Sequence, residues 1–332
     1  MFDLARTVID DAQKIVIVQA ENPDGDSLGS ALALEEILSD VGKEVVLFCA
    51  IDIPKYMHYI IGWDRVVKDW PYDAQAVIIV DTTSELLLMK TLAAPAVRSF
   101  LESHPVLVID HHQETDAKLP FNHTTLIDDS AVATAEIIYQ WAQSANWLIS
   151  AVAAEQLFIA IQADSLGLTT PNTSATSYKV AADLVALGAV PADIENRRRE
   201  YMKKPADILA YKGRLIERIE YHLDSKLATV HIPWDEIEEF SDRYNPSVLV
   251  IDEMRLVDSV VVAVAIKTYP DGKLTGKIRA NVPLAHHIAG YFGGGGHEYS
   301  AGFNVFESYE KILSELVTAT DKAIVDYESA LS

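Results

Sequence analysis

The chain has 332 residues, of which 49% are hydrophobic and 23% are charged. This composition is typical of a soluble globular protein, and the length allows two domains. The formal net charge of −22 argues against unselective binding of long duplex nucleic acid through a basic surface. A small phosphorylated ligand stays compatible with this charge, because a bound metal can invert the local field.

Cysteine usage and hydropathy predict the compartment. Cys49 is the only cysteine, so the sequence excludes an internal disulfide and a multi-cysteine zinc site. Residues 1–11 carry acids and lack the apolar core of a signal peptide. No apolar run reaches the roughly 18 residues of a membrane span. We therefore predict a cytoplasmic protein without a membrane partner.

The first part of the chain alternates predicted strands and helices. Apolar runs predict strands over residues 14–20, 44–50, 76–80 and 106–109. Helical spacing of apolar residues predicts helices over residues 27–40, 131–144, 151–164 and 174–187. Strands joined by helical crossovers indicate an α/β fold with a doubly wound, mainly parallel sheet. We assign this first domain to residues 1–190.

The second part of the chain has a different pattern. Residues 191–223 are rich in charge and form the predicted helical connector. Beyond it, strands are predicted over residues 227–232, 247–251, 260–268 and 273–280, and helices over residues 283–291 and 309–329. Residues 224–332 therefore form a predicted second, smaller α+β domain.

Polar side chains follow the predicted strands at their carboxyl ends. In the string VLVIDHHQ at 106–113, four apolar residues precede Asp110, His111 and His112, and Asp81 follows AVIIV in the same way. Open α/β sheets hold their ligands at this end of the strands. A polar loop whose histidines face water is the alternative for this stretch taken alone. The acids at other element ends favour a binding site.

Two further element ends carry acids. Asp24 and Asp26 lie in the turn NPDGD, where each carboxylate can reach a different ion, although a simple helix-capping turn is the alternative. Asp164 ends an apolar helical pattern, where a buried acid is costly unless it is paired or metal-bound. With Asp81 and His111 they make an oxygen-rich set that suits Mn²⁺, Mg²⁺ or Fe²⁺ better than structural zinc. Two such ions are suited to phosphoester cleavage by an activated water.

The string GGGGH at 293–297 predicts an anion-binding loop. Consecutive glycines leave backbone amides free to approach an anion, and Arg279 at a predicted strand end can contact phosphate through two nitrogens. A flexible hairpin is the alternative, but the return to a strand pattern directly afterwards favours an ordered loop. The predicted substrate-binding residues are Arg279, Gly294, Gly295, Gly296 and His297.

Five strings together resemble the DHH/DHHA1 phosphoesterases, particularly the compact nanoRNase-type members of the RecJ-like superfamily that act on oligonucleotides and 3′-phosphoadenosine phosphate. NPDGD with LGSALAL resembles motif I, and VDTT at 80–83 resembles motif II. IDHH at 109–112 and ADSLGL at 163–168 resemble motifs III and IV. GGGGHEYSAG at 293–302 is similar to the hallmark of the DHHA1 domain. The match covers nearly the whole chain.

The resemblance implies two divalent ions in the first domain, usually Mn²⁺, with Mg²⁺ as the other option. One ion would be bound by Asp24 and Asp81. The other would be bound by Asp26, Asp81, His111 and Asp164, so that Asp81 would bridge the two ions.

The resemblance also implies the catalytic residues His112, Asp110 and Asp81. His112 would face the scissile phosphate, and Asp110 would orient the imidazoles from outside the metal shell. Residues 1–190 would be the metal-binding catalytic domain. Residues 224–332 would bind the nucleotide end of the substrate through Arg279, the glycine loop and His297, across a cleft between the domains.

Ala20 departs from the family pattern, in which a histidine usually stands two residues before Asn22. Alanine cannot bind a metal, so the first ion would lose a protein ligand and the activity of this chain would be weakened. Three explanations are open: an engineered His→Ala variant, a naturally degraded first metal site, or a water that replaces the imidazole. We favour the engineered variant, because all the other ligands are intact.

We predict a metal-dependent phosphodiesterase or exonuclease that hydrolyses short oligonucleotides or linear dinucleotides, and 3′-phosphoadenosine phosphate as a further option. The compact length and the negative charge favour these substrates over long duplex nucleic acid. An inorganic pyrophosphatase-like hydrolase is one alternative, against which the GGGGH string argues. A non-catalytic nucleotide-binding protein is the other alternative, motivated by Ala20. The oligomeric state is open, with a homodimer as one option.

Overall fold

The computed structural model describes residues 2–112, 118–296 and 298–331. The chain divides into two compact units, residues 1–203 and residues 204–332. This division lies inside the predicted connector 191–223, whose first helix belongs to the first unit and whose second helix belongs to the second unit. No helix in the described residues is both long and apolar enough to cross a lipid bilayer.

The first unit is built on a parallel sheet of five strands in the order β2-β1-β3-β4-β5. The strands are β1 (Lys14–Val18), β2 (Glu44–Phe48), β3 (Ala76–Val80), β4 (Val106–Asp110) and β5 (Thr124–Ile127). Every residue of β3 and β4 is buried, as expected for parallel strands that are covered on both faces. The predicted α/β class with a parallel sheet is confirmed.

The α-helices in the described residues of the first unit lie on both faces of the sheet. They are α1 (Phe2–Ile9), α2 (Gly25–Asp40), α3 (Met89–Ala93), α4 (Pro95–Ser103), α5 (Thr134–Ser144), α6 (Ala151–Asp164), α7 (Ala175–Ala186) and α8 (Pro191–Met202). Alternate strand residues point to opposite faces, so Ile15 and Ile17 of β1 join the core beneath α2, α5 and α6. Val16 and Val18 join the core on the other face, beneath α3 and α4.

The second unit is built on a mixed sheet of six strands in the order β10-β11-β9-β8-β7-β6. The strands are β6 (Glu220–His222), β7 (Leu227–Ile232), β8 (Val262–Thr268), β9 (Lys273–Ala280), β10 (Gly295–Gly296) and β11 (Ser300–Phe306). Only the pair β7–β8 is parallel among these described strands. The predicted smaller α+β fold is confirmed.

In the described part of the second unit, the helices that cover this mixed sheet are α9 (Ala206–Glu217), α10 (Trp234–Phe240), α11 (Pro246–Arg255), α12 (Ala285–Tyr291) and α13 (Tyr309–Leu331). The face that carries Leu274 and Ile278 packs against α12 and α13. The opposite face carries Ala263 and Ala265 and packs against α9, α10 and α11. The sheet therefore separates two cores.

The predicted strand over residues 247–251 is wrong, because this segment lies in helix α11. The run SVLVI is rich in β-branched residues, which favour strands locally. The helix begins instead at Pro246, which occupies the first turn, while the Asn245 side chain accepts a hydrogen bond from the Ser247 amide at 3.2 Å. Burial of Leu249, Val250 and Met254 against the sheet then outweighs the local preference.

Candidate metal centre

Four predicted ligands meet around the imidazole of His111. Its Nε2 atom lies 3.8 Å from Asp26 Oδ2, 3.7 Å from Asp81 Oδ1 and 3.4 Å from Asp164 Oδ2. The in-register pairing of Val80 with Ile109 places the residues that follow β3 and β4 side by side. Asp26 comes from the first turn of α2 and Asp164 from the last turn of α6, two helices that pack together.

The environment of His111 fits a cation. Its Nδ1 atom lies 3.2 Å from the Ala131 carbonyl oxygen, which can only accept a hydrogen bond, so Nδ1 carries the proton. Nε2 then presents a lone pair, and this buried atom has no hydrogen-bond partner within the described part of the chain. A lone pair directed at three carboxylates is unfavourable by itself. A divalent cation would satisfy all four groups at once.

The amino terminus of α5 holds two of these acids. Asp26 Oδ2 accepts a hydrogen bond from the Thr134 amide at 2.6 Å, and Oδ1 accepts bonds from the Ala135 amide at 3.2 Å and the Ser30 hydroxyl at 2.9 Å. The Thr134 hydroxyl donates to Asp81 Oδ1 at 3.1 Å. Unpaired amides at a helix start favour anionic side chains. Thr134 is not among the residues predicted for the site, although a threonine near the start of a predicted helix is a recognisable signal.

Burial and mutual repulsion shift the pKa values of the carboxyl groups. Burial raises the pKa of Asp26 to about 6, and the charge of Asp164 adds to this effect. Burial raises the pKa of Asp164 to about 6, with a further contribution from Asp24. Burial, followed by the charge of Asp26, raises the pKa of Asp81 well above its ordinary value. Such a crowded set of acids is stabilised as carboxylates by a bound cation.

His112 is held in a different way from His111. Its Nδ1 atom lies 2.8 Å from Asp110 Oδ1, which also accepts a hydrogen bond from the His112 amide at 3.1 Å. Asp110 is fully buried, and the hydrogen bond that its carboxylate accepts from the ring raises the pKa of His112. The His112 side chain is 54% exposed, so the ring is fixed at one edge and open to a ligand at the other. The contacts of Asp110 thus orient one imidazole, whereas the Ala131 carbonyl orients the other.

The remaining predicted ligand, Asp24, differs from the other acids. It is exposed and caps α2, because its Oδ1 atom accepts hydrogen bonds from the amides of Asp26 and Ser27, each at 3.0 Å. Ala20 is buried and offers only a methyl group. The neighbouring Glu21 carboxylate accepts a hydrogen bond from the Thr91 amide at 2.7 Å and therefore points to α3. No side chain among these replaces the missing imidazole.

Donor atoms converge in two groups within the described residues. Asp26, His111 and Asp164 form one group, and Asp81, His111 and His112 form the other, with all donor atoms of a group within 4.8 Å of one another. Both groups share His111. Asp24 belongs to neither group, and its Oδ1 atom caps α2.

Three of the predicted substrate-binding residues, Arg279, Gly295 and Gly296, lie in strands of the second unit, and Gly294 directly precedes β10. The Arg279 guanidinium on β9 donates hydrogen bonds to the Ile278 carbonyl oxygen and to the Ser300 hydroxyl. The glycine segment is ordered, because Gly295 and Gly296 form β10 and pair with Gly302 and Ala301 of β11. A side chain at Gly294 would overlap the carbonyl oxygen of Gly302, so close packing requires glycine there. His297 lies outside the described residues.

The sequence of the first unit matches a known protein family. Residues 14–167 match the model of the DHH family, N-terminal domain. This matched region contains all the predicted metal ligands, from Asp24 to Asp164.

Relatives of known name match along most of the chain. The chain is 26% identical over 309 residues to the bifunctional oligoribonuclease and PAP phosphatase NrnA of Thermus thermophilus. The matched region covers 90% of this chain and 88% of that protein. It is 21% identical to the protein of the same name from Bacillus subtilis, over 92% of this chain and 94% of the relative. It is also 24% identical to the cyclic-di-AMP phosphodiesterase PdeA of Listeria monocytogenes, over 95% of this chain but 48% of the relative.

The fold is similar to that of a solved structure, an exopolyphosphatase-related protein from Bacteroides fragilis. The TM-score is 0.82 at 20% sequence identity, and the match covers 99% of this chain and 97% of the other. This likeness shows a shared fold. Together with the family match and the NrnA relatives, it confirms the resemblance that the five strings indicated. Residues 14–167 therefore form a DHH-family N-terminal domain, and the chain is similar to the NrnA proteins along most of its length.

Proposed function

We propose that this chain is a divalent-metal-dependent phosphodiesterase that hydrolyses short oligonucleotides or linear dinucleotides. The DHH-family domain and the names of the relatives that match along nearly the whole chain support this activity. The single observation that carries the metal dependence is the buried Nε2 atom of His111, which faces three carboxylates without a hydrogen-bond partner in the described chain. The names of these relatives also include PAP phosphatase, so PAP is a further candidate substrate.

The proposed metal ligands are Asp26, Asp81, His111 and Asp164, with Asp24 as the ligand of a second ion. Oxygen ligands with one imidazole suit Mn²⁺, and Mg²⁺ is the alternative. When bound, such ions make a water more acidic and stabilise the charge of phosphate oxygens.

His112 is the residue that we expect to contact the phosphate. Asp110 fixes the ring through Nδ1 and raises the pKa of His112, so a larger fraction of the imidazole is protonated near neutral pH. The protonated ring can donate a hydrogen bond from its open edge to a phosphate oxygen or to the leaving oxygen. Asp110 acts as a positioning residue, because its contacts are with the His112 ring and the backbone.

In the second unit, Arg279 and the glycines of β10 are proposed to bind a phosphate of the substrate. The guanidinium makes no ion pair with a carboxylate of the described residues, so it is available to an anion. The predicted role of His297 in the same loop stays a prediction.

Ala20 supports a weakened site for the second ion. The missing imidazole leaves Asp24 and Asp81 as its protein ligands, and Asp24 already accepts two backbone hydrogen bonds. The same observation favours a second candidate function, a nucleotide-binding protein that turns over slowly or not at all. An engineered substitution, natural loss and replacement by water remain the three explanations for Ala20.

A substrate panel tests the proposal directly. The linear dinucleotide pApA, a short RNA, a short DNA, 3′-phosphoadenosine phosphate and pyrophosphate should each be incubated with Mn²⁺, with Mg²⁺ and with EDTA. We expect metal-dependent release of mononucleotides from pApA and RNA. Turnover of pyrophosphate alone would support the pyrophosphatase-like alternative. Nucleotide binding without turnover, both in this chain and after Ala20→His, would support the non-catalytic alternative.

A further inference from the structure

The mixed sheet of the second unit has one face that is only partly covered. Along β9, Leu274, Ile278 and Ala280 are buried against α12 and α13. The alternate residues point to the other face, where helix α11 packs mainly on β8. On β9 and β11 that face remains partly open to solvent, as the half-exposed side chains Thr275, Lys277, Arg279 and Ser300 show.

Strand register places a glycine directly beside Lys277 on this open face. Gly302 of β11 pairs with Lys277 on one side and with Gly295 of β10 on the other. Opposite residues in an antiparallel pair project to the same face, so the position next to Lys277 on β11 and the position beyond it on β10 carry no side chain. On its other side Lys277 pairs with Ala265 of β8, which is also small. The sheet surface beside Lys277 therefore carries only small side chains or none, and it continues to the tetraglycine segment, residues 293–296.

Four cations of β8 and β9 share this face: Lys267, Lys273, Lys277 and Arg279. Lys273 lies at the start of β9 with its Nζ 5.8 Å from the Tyr269 ring centroid, and the other three form a separate group. Lys277 and Arg279 are two residues apart on β9, and Lys267 pairs with Thr275, the next residue on the same face. We call these three residues the basic row. Burial lowers the pKa of each lysine, and the charge of the neighbouring cation adds to the effect: Lys277 acts on Lys267, and Arg279 acts on Lys277.

The basic row is not neutralised by carboxylates. Lys277 makes no hydrogen bond or ion pair within the described residues, and Lys267 Nζ contacts only the neutral amide oxygen of Asn245, at 2.8 Å. The acid that acts on Lys277 and Arg279 is Asp252, an exposed residue of α11 that lies 3.9 Å from Arg255 instead. In a chain of net charge −22, three adjacent unpaired cations indicate a site for an external anion.

Other basic residues of the same unit show the contrast. Arg218 Nη2 lies 2.6 Å from Glu236 Oε2, and Lys212 Nζ lies 2.6 Å from Glu253 Oε1. Acidic partners are thus available in this unit, and they are absent from the basic row among the described residues. Lysine ammonium groups bind phosphate oxygens as point charges.

We propose that Lys277 and Lys267 bind a second phosphate of a single-stranded nucleic acid, next to the phosphate held by Arg279. The Cα atoms of Lys277 and Arg279 are separated by two strand residues, or about 6.7 Å. This spacing is comparable with that of successive phosphates in an extended single strand. The proposal rests on the proposed function and deepens it, because it makes Lys267 and Lys277 determinants of substrate length.

Binding in EDTA tests this assignment without turnover. The affinities of AMP and of fluorescently labelled RNAs of two, three and five nucleotides should be measured for the full chain and for Lys267→Met/Lys277→Met, which removes both charges but keeps long apolar stems. We expect the double substitution to weaken binding of the three- and five-nucleotide RNAs by roughly tenfold or more and that of AMP by less than about twofold. The salt dependence of RNA binding should also become shallower by up to ~0.7 per lost phosphate contact.

Two control variants separate charge from folding. Lys322→Met removes one exposed charge from α13, which covers the other face of the sheet, and should leave RNA affinity unchanged. Lys267→Arg/Lys277→Arg keeps both charges and should retain most of the affinity. A uniform loss for AMP and RNA, or an equal loss in Lys322→Met, would overturn the proposal.

The outcome also distinguishes this inference from the proposed function. If the unsubstituted chain binds and cleaves short RNA but the double methionine variant binds it equally well, only the role of the basic row is rejected. If the unsubstituted chain neither binds nor cleaves short RNA, the proposed function and the basic-row assignment are both rejected.

Discussion

His111 Nε2 and Asp164 Oδ2 lie 3.4 Å apart, although one residue follows strand β4 and the other ends helix α6. The imidazole is fixed from behind by the Ala131 carbonyl, so it cannot donate a hydrogen bond to the carboxylate unless it is doubly protonated. A neutral imidazole and a carboxylate at this distance are two electron-pair donors without a proton between them. A shared cation, as we propose, would bind both groups.

Replacing Asp164 by asparagine should weaken metal binding. The substitution keeps the shape of the side chain but removes the charge that faces His111, so we expect the Kd for Mn²⁺ to rise by at least about tenfold. Isothermal titration calorimetry measures the change, and Asp40→Asn is the matched control because Asp40 is an exposed acid at the end of α2. Equal Mn²⁺ affinities in the two variants would contradict the assignment of Asp164 as a ligand.

The stability of the metal-free chain should fall as the pH rises. The pKa values of Asp26 and Asp164 are about 6 in the folded chain and ordinary, near 4, in the unfolded chain. The folded state therefore binds more protons between these values, and the free energy of unfolding decreases from about pH 4 to pH 6 and levels off above pH 7. The combined contribution of the two acids across this whole pH range is on the order of 5 kcal/mol.

Urea unfolding in EDTA at pH 5.0, 6.0 and 7.5 measures this dependence. Asp164→Asn should flatten it, because one of the two titrating groups is removed. Saturating Mn²⁺ should reverse the trend, because the metal binds the deprotonated acids. A metal-free chain that gains stability between pH 5.0 and 7.5 would show that the buried acids do not dominate.

Replacing Asp110 by asparagine should release His112. The charged acceptor at Nδ1 is lost, so the pKa of His112 should decrease towards that of an exposed histidine. Loss of the orienting contact should lower kcat by roughly 10–100-fold. NMR titration of the His112 ring protons measures the pKa, and a normal unfolding profile is the control. An unchanged His112 pKa would mean that another group fixes the ring.

Restoring a histidine at position 20 should strengthen the second metal site. Ala20→His adds an imidazole near Asp24 by the family pattern, so we expect the number of tightly bound Mn²⁺ ions per chain to increase from one to two and hydrolysis to become faster. The larger side chain at this buried position is expected to cost about 1–3 kcal/mol of stability. Metal quantification after gel filtration gives the stoichiometry independently of activity. A stoichiometry that stays at one would reject the idea that Ala20 limits the second ion.

Gly294 and Gly295, which are neighbours in the tetraglycine segment, should respond differently to substitution by alanine. Gly294→Ala should lower the melting temperature, because the new methyl group would overlap the Gly302 carbonyl and disturb the pairing of β10 with β11. Gly295→Ala should leave the melting temperature nearly unchanged, because its methyl group meets no described atom within 4 Å. Nucleotide binding should decrease in both variants if the segment approaches a phosphate. Equal melting temperatures for the two variants would contradict the close packing at Gly294.

The sequence by itself determined the order of the elements and the chemistry at their ends. Apolar runs ending in Asp81 and Asp110 are sufficient to predict parallel strands with acids at one edge, because local hydrophobic patterns and helix caps depend on neighbouring residues only. The strand predicted from the β-branched residues at 247–251 is wrong, because these residues lie in helix α11. Packing of that helix on the sheet decided the conformation.

Only the tertiary structure decided how the ends meet. Strand register and the placement of α5 bring the amides of Thr134 and Ala135 to Asp26, and no local pattern links those residues. The fold also assigns Asp24 to a helix cap and leaves Lys277 unpaired within the described chain beside a glycine of β11. These relationships join residues distant in sequence, so they depend on the packing of whole elements, which short-range patterns do not encode.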